Sequence, residues 1–206
     1  MRSGFDLLAS SYDSLAYLIF GRSIRTSQCV FINEIDDEAS ILILGGGTGW
    51  ILNDIFEKKP KVRITFVDNS SAMIDKAKST VKKQWIDNVN FIQGTYHSMI
   101  LRKKYNVIFT AFFLDMFPQD ELEKLMHDIS NLHEEKGIWL FTDFKITKNV
   151  LQQLLLKIMY LFFVLTCKIE AKGLSDFEGV FHKNQYRLKT SKLFFRGMIE
   201  SKVYYR

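Results

Sequence analysis

Cysteine, proline and uninterrupted apolar stretches are all scarce in this sequence of 206 residues, and each scarcity excludes a class of protein. The two cysteines, Cys29 and Cys167, stand far apart and outside any Cys-x-x-Cys or Cys/His cluster. That excludes a disulfide-built secreted scaffold and a cysteine-held zinc site, and no metal is expected. Two prolines, no internal repeat, no low-complexity tract and no Pro/Gly-rich linker leave no domain boundary, so one domain is expected at roughly 150 residues per domain. The opening MRSGFDLLASSYDSLAY interrupts its apolar residues with Asp6, Ser10, Ser11 and Asp13, unlike a signal peptide, which predicts a cytoplasmic protein. The most apolar stretch, 151–167, is uninterrupted only over 158–167, between Lys157 and Lys168. A spanning helix needs about 20 apolar residues, so a buried or lid helix is predicted there, with peripheral membrane contact as the alternative.

The composition that is present is globular: 47% hydrophobic and 25% charged is too apolar for a disordered chain. Charge is uneven. From residue 145 onward there are twelve basic and four acidic residues, whereas the preceding part is slightly acidic. A basic C-terminal third suits a solvated face, an acidic substrate or an anionic membrane.

Strand-length runs rich in β-branched residues occur at 41–44, 62–67, 89–92, 105–110 and 138–142. Helical patterns separate them at 51–58, 71–84 and 119–133, the last with Leu122, Leu125, Met126 and Ile129 on one face. This alternation predicts an α/β, doubly wound, mostly parallel sheet. Two helices are predicted before it, one carrying Leu8, Tyr12, Leu15 and Ile19 and another over 23–35. Residues 186–206 read as two extended runs about Arg196-Gly197, an antiparallel pair that brings the sheet to seven strands.

The chemical signal is ILILGGGTGW at 41–50, a buried strand entering Gly45, Gly46, Gly47, Thr48 and Gly49 before a helix. Glycines permit positive φ and close ligand approach, and the helix start offers free N–H groups. The dinucleotide pattern G-x-G-x-x-G needs a glycine at position 50, where Trp50 stands, and no Gly-Lys-Ser/Thr follows to make a P-loop. Asp68, at the end of the next strand, is placed to accept hydrogen bonds from ribose hydroxyls or to cap the helix that follows.

These linked segments resemble the class I S-adenosylmethionine-dependent methyltransferases. GGGTG is similar to their first motif, DNSSAM at 68–73 to the segment after the second strand, and NFIQGTYHSM to the third-strand motif. YNVIFTAFFLDMFPQDEL and HEEKGIWLFTDF resemble the fourth and fifth strands, and FFRGMIESKVYYR the closing strands. The resemblance implies one methyltransferase domain over 1–206: an N-terminal helical cap (1–38), a cofactor core (39–144), a helical lid (145–185) and closing antiparallel strands (186–206). It further implies that Gly45 to Gly49, Thr48 included, lie against the methionyl part of S-adenosylmethionine and that Asp68 holds the ribose. Asn69 and Met73 would flank the adenine, with Gly94, Thr95 and Tyr96 on its other side. Ala111 and Phe112 would lie beside the sulfonium, and Tyr12 would approach the cofactor. The sequence departs from the family at three acids, replaced by Ile43, Thr95 and Asn106.

Transfer from a sulfonium is mainly a matter of orienting two reactants. Where a base assists, the candidates are Asp115, His97, Asp143 and Tyr12. Eighteen phenylalanines point to a small apolar or aromatic acceptor rather than nucleic acid. The runners-up are a nucleotide-dependent oxidoreductase and a catalytically silent binding module. Oligomeric state is left open.

Overall fold

The computed structural model describes residues 4–9, 12–95, 103–167, 169–171 and 173–206. The five internal runs form β1 (Ser40–Leu44), β2 (Arg63–Asp68), β3 (Val89–Gln93), β4 (Tyr105–Ala111) and β5 (His133–Phe144), and the last two form β6 (Arg187–Phe194) and β7 (Ile199–Tyr205). All seven lie in one sheet in the order β3-β2-β1-β4-β5-β7-β6. β1 to β5 are parallel, while β7 runs antiparallel to both of its neighbours. Inserting an antiparallel strand between β5 and β6 distinguishes this order from the all-parallel 3-2-1-4-5-6 of dinucleotide-binding folds.

The pattern of β1 explains the two-sided architecture. Side chains alternate along a strand, so Ile41 and Ile43 point into one core and Leu42 and Leu44 into the other, with none of the four more than 2% exposed. On the first face α4 (Ile51–Lys58) contributes Ile51, Leu52, Ile55 and Phe56, joined by Ile74 and Ala77 of α5 (Ser71–Thr80). On the second, α6 (Gln119–Asn131) contributes Leu122, Leu125, Met126 and Ile129, and α8 (Phe177–Lys183) adds Val180 and Phe181. Each such side chain, fully buried, stabilises by about 1.5–3 kcal/mol. Slipping β1 by one residue would send each pair to the opposite core.

The helices differ from the sequence pattern at their ends, for identifiable reasons. The pattern over 71–84 predicts a longer α5, but the Asn53 amide donates to the Thr80 carbonyl (2.9 Å) and its Oδ1 accepts from the Lys82 N–H (3.0 Å). One side chain thus satisfies backbone groups that another helical turn would otherwise pair. Asn53→Ala should lower stability by about 1 kcal/mol, in the range of a lost cap, as read by thermal melting. The helix expected over 23–35 divides into α3 (Ser23–Cys29) and a single 3-10 turn, Ile32–Glu34, which buries Ile32 beside the sheet. β5 begins at His133, five residues before the apolar run, because the His133 ring is held by the Tyr186 hydroxyl (2.9 Å) and the Ile138 carbonyl (3.1 Å). Burial lowers the imidazole pKa to about 4, so the ring is neutral.

Three further helices, α1 (Gly4–Leu8), α2 (Tyr12–Phe20) and α7 (Val150–Cys167), border the space beyond the carboxyl ends of the strands. In open α/β sheets that is where ligands bind.

Candidate active site

The backbone leaves β1 through Gly45 and Gly47, with φ of 64° and 58°, a region that favours glycine. A Cβ at Gly45 would run into the ring of Phe113, whereas one at Gly47 would meet nothing within 4 Å. The loop is thus packed from behind and open in front. Its open face is tied to β2: the Gly47 N–H donates to Asp68 Oδ2 (2.8 Å), and the Ser70 N–H donates to Asp68 Oδ1 (2.9 Å). Burial raises the Asp68 pKa, and these two N–H donors oppose the rise. A carboxylate offers about four acceptor positions, so each oxygen retains capacity for another donor. The capping role considered for Asp68 belongs instead to Ser70, whose hydroxyl accepts from the Met73 N–H (3.1 Å).

In front of the loop lies a cavity of about 1540 Å³. A single-ligand pocket occupies roughly 300–1000 Å³, so the space suffices for two reactants. Tyr12, Gly45, Gly46, Gly47, Thr48, Asp68, Asn69, Met73, Gly94, Thr95, Ala111 and Phe112 all border it. Gly49 does not; its Cα packs against Ala77 of α5. Tyr96 and His97 lie outside the described residues. Of the three positions where family acids are replaced, only Thr95 borders the cavity. Ile43 is in the core, and Asn106 sits at the amino end of β4, accepting from the Ser40 N–H and hydroxyl (both 3.0 Å).

Two carboxylates on the N-terminal helices latch them to this site. Asp13 accepts from the Thr48 hydroxyl (2.9 Å), and Asp6 accepts from the Ser70 hydroxyl (2.5 Å) and the Ala72 N–H (3.3 Å). Asp6 therefore stands at the positive end of α5. It had no sequence signal, since its partners lie more than sixty positions away.

Part of the cavity wall is aromatic and apolar, with Phe112, Phe144, Met159 and Phe163 among its lining. Phe112 has a positive φ of 51°, a strained conformation for a side-chain-bearing residue. It is held by its N–H bond to the Thr142 carbonyl (2.8 Å) and by ring contact with Phe144 at 4.9 Å.

Asp115 and Asp143, both candidate bases, come together here in different roles. Asp143, at the end of β5, is 1% exposed and does not border the cavity. Its oxygens accept from the N–H groups of Phe144 (2.8 Å) and Asp115 (3.3 Å), so it braces the turn after β4. Asp115 does border the cavity, and its Oδ1 is buried without a hydrogen-bond partner among the described residues. Burial raises its pKa to about 7; burial and then the Asp115 charge raise that of Asp143 well above the carboxylate range. Burial, followed by the Asp115 charge, likewise raises Tyr12 and Tyr160, and the Tyr160 hydroxyl donates to the Asp115 backbone carbonyl (3.1 Å). Among the described residues no group of three or more His, Cys, Asp or Glu could hold a metal ion.

Residues 41–137 match the methyltransferase domain family. Over 108 residues the chain is 31% identical to malonyl-[acyl-carrier protein] O-methyltransferase of Priestia megaterium, covering 52% of this chain and 38% of that protein. Over 131 residues it is 28% identical to carboxy-S-adenosyl-L-methionine synthase of Nautilia profundicola, covering 62% and 54%. The chain thus spans about two fifths to a half of the length of these relatives. Among solved structures, mitomycin 7-O-methyltransferase MmcR superposes with a TM-score of 0.71 at 15% identity, over 100% of this chain and 61% of that one. The strand order and the glycine loop agree with the domain match: residues 41–137 are similar to the core of the S-adenosylmethionine-dependent methyltransferases, and the chain shares their fold.

Proposed function

We propose that this protein transfers the methyl group of S-adenosylmethionine to a small apolar or aromatic acceptor that presents a hydroxyl, with Asp115 as the base. The observation that carries this reading is the Asp115 Oδ1, buried and without a hydrogen-bond partner among the described residues, in a cavity lined by both the glycine loop and aromatic side chains. The residues present fit the cofactor: the space before Gly47 is open, and Asp68 retains acceptor capacity for two ribose hydroxyls. In this reading Gly45, Gly46, Gly47 and Thr48 face the methionyl portion, Asn69, Met73, Gly94 and Thr95 the adenine, and Ala111 and Phe112 the sulfonium. The bound cofactor supplies an electrophilic methyl group. Asp115 accepts the acceptor's hydroxyl proton as the oxygen gains the methyl, and the aromatic wall excludes water from both.

A neutral hydroxyl suits this wall better than the free carboxylate of a malonyl group, which would set a second negative charge against Asp115. The same reading makes residues 145–185 a cover over the acceptor and the cytoplasm the working compartment. The silent-module alternative loses force because Ile43 and Asn106 replace acids at positions away from the cavity.

Calorimetry tests the cofactor assignment first. Asp68→Ala should weaken S-adenosylmethionine binding by about 1–3 kcal/mol, the range for unsatisfied hydrogen-bond partners. Unchanged affinity would refute the ribose assignment, and binding of NADH in place of S-adenosylmethionine would favour an oxidoreductase. Release of S-adenosylhomocysteine across a panel of phenols, enols, alcohols and amines then identifies the acceptor class.

A further inference from the structure

Helix α7 has two apolar sides, and among the described residues only one has a partner. Its inner side lines the cavity with Leu155, Met159 and Phe163, and is pinned by the Tyr160 hydroxyl on the Asp115 carbonyl and the Gln152 amide on the Phe195 carbonyl (3.3 Å). Its outer side carries Val150, Leu151, Leu154, Ile158, Leu161 and Leu165, each more than half exposed. At 3.6 residues per turn these six fall within about 100° of arc. A soluble domain rarely leaves such a stripe uncovered. Tyr17 and Leu18 of α2, which borders the same cavity, add two more exposed apolar side chains.

The charge around the stripe indicates what covers it. Between 145 and 172 the sequence holds five lysines and one acid, Glu170; of these lysines, Lys145 is paired with Glu200 (3.0 Å). Lys157 is exposed at the rim of the stripe near the helix midpoint, and Lys148 is exposed just before the helix. A second copy packed symmetrically and antiparallel on this face would bring Lys157 opposite its own counterpart. An anionic bilayer surface instead takes leucines into its acyl boundary and lysine ammonium groups among its headgroups. The helix is long and apolar enough to span a membrane, but its inner side is engaged by the protein, and a spanning helix would have to surrender those contacts.

We infer that the outer face of α7 is a membrane-surface docking site for anionic phospholipid, with the helix lying in the plane of the interface and the cavity directly behind it. Docking through this outer face does not require any particular chemistry in the cavity.

Co-sedimentation of the full chain with phosphatidylcholine vesicles, with and without phosphatidylglycerol, tests this. Binding is expected to the phosphatidylglycerol vesicles and to weaken at high salt, since each lysine near an anionic surface strengthens binding about fivefold. The double variant Leu154→Glu/Leu161→Glu should reduce binding by more than about tenfold, each buried leucine exceeding a tenfold step. Both positions are exposed, so its thermal melt should match the wild type; if the variant fails to fold, Lys148→Gln/Lys157→Gln replaces it, with a severalfold loss expected. Absence of vesicle binding, or equal binding by the folded variants, overturns the inference. So does light scattering that shows a dimer abolished by the leucine substitutions, which would assign the face to self-association.

Discussion

Replacing Asp115 with asparagine is expected to lower the turnover of a hydroxyl acceptor by about 10²–10⁴-fold, the usual contribution of a positioned base. The substitution keeps the side chain's shape and removes its capacity to take a proton. S-adenosylmethionine affinity should change much less than turnover, because asparagine keeps the side chain's shape and an acceptor oxygen. Wild-type turnover should rise with pH and level off above about 7, where burial places the Asp115 titration, and the variant's residual activity should lack that inflection. Full activity in Asp115→Asn would show that the orphaned oxygen serves another purpose and that transfer proceeds by orientation alone. Asp143→Asn has a different signature. Asp143 contacts backbone N–H groups rather than the cavity, so its loss should loosen the turn and raise KM and lower kcat together without removing the pH inflection.

The same Asp115→Asn variant is expected to be more stable than the wild type at pH 8. An aspartate normally titrates near 3.8, and burial lifts this one to about 7. Between those values the folded protein binds a proton that the unfolded chain does not. Stability therefore falls as pH rises through the interval, and above it the folded chain carries the full penalty of the buried charge. Asparagine does not incur that penalty. Melting temperature should thus be several degrees higher in the variant at pH 8, and the gap should close as pH approaches 4. His133 acts oppositely. With its pKa lowered to about 4 by burial, the ring stays neutral in the fold while the unfolded imidazole takes up a proton below about 6.5, so acid destabilises. This contribution is common to both proteins and cancels in their difference. A variant that melts at or below the wild type at pH 8 would mean that the carboxylate is compensated by groups beyond those described around it.

The glycine loop and the placement of Asp68 beside it were legible in sequence because these parts are local. A strand, a glycine turn and a helix are contiguous, and Asp68 follows at the end of the next strand, where the fold's regular spacing places it. Five strands were equally legible, since ILIL and VRITFV are buried on both faces and read as continuous apolar runs. What escaped were features defined by distance along the chain. Asp6 and Ser70 meet across 64 positions, and Tyr160 meets Asp115 across 45. No periodicity carries that information. The contrast between Asp115 and Asp143 was hidden for a related reason: both follow strand runs and both are acids, and only the parallel pairing of Ala111 with Thr142 shows that one faces the cavity while the other lies behind it. Helix ends were misjudged where a distant side chain, such as Asn53, takes over backbone hydrogen bonds that local pattern assigns to another turn.

The placement of β7 has a consequence for how the chain is made. It follows β5 and β6 in the sequence, yet it is an interior strand, paired along its length with β5 on one side and β6 on the other. Until Tyr205 has left the ribosome, β6 has no place in the sheet and β5 remains an uncovered edge carrying Trp139, Leu140 and Phe141. Such an edge is a template for pairing with other nascent chains. Translation of this protein should therefore pass through an aggregation-prone interval that ends only when the final strand slots in, and a stop codon placed before Ile199 should yield insoluble product rather than a smaller folded domain.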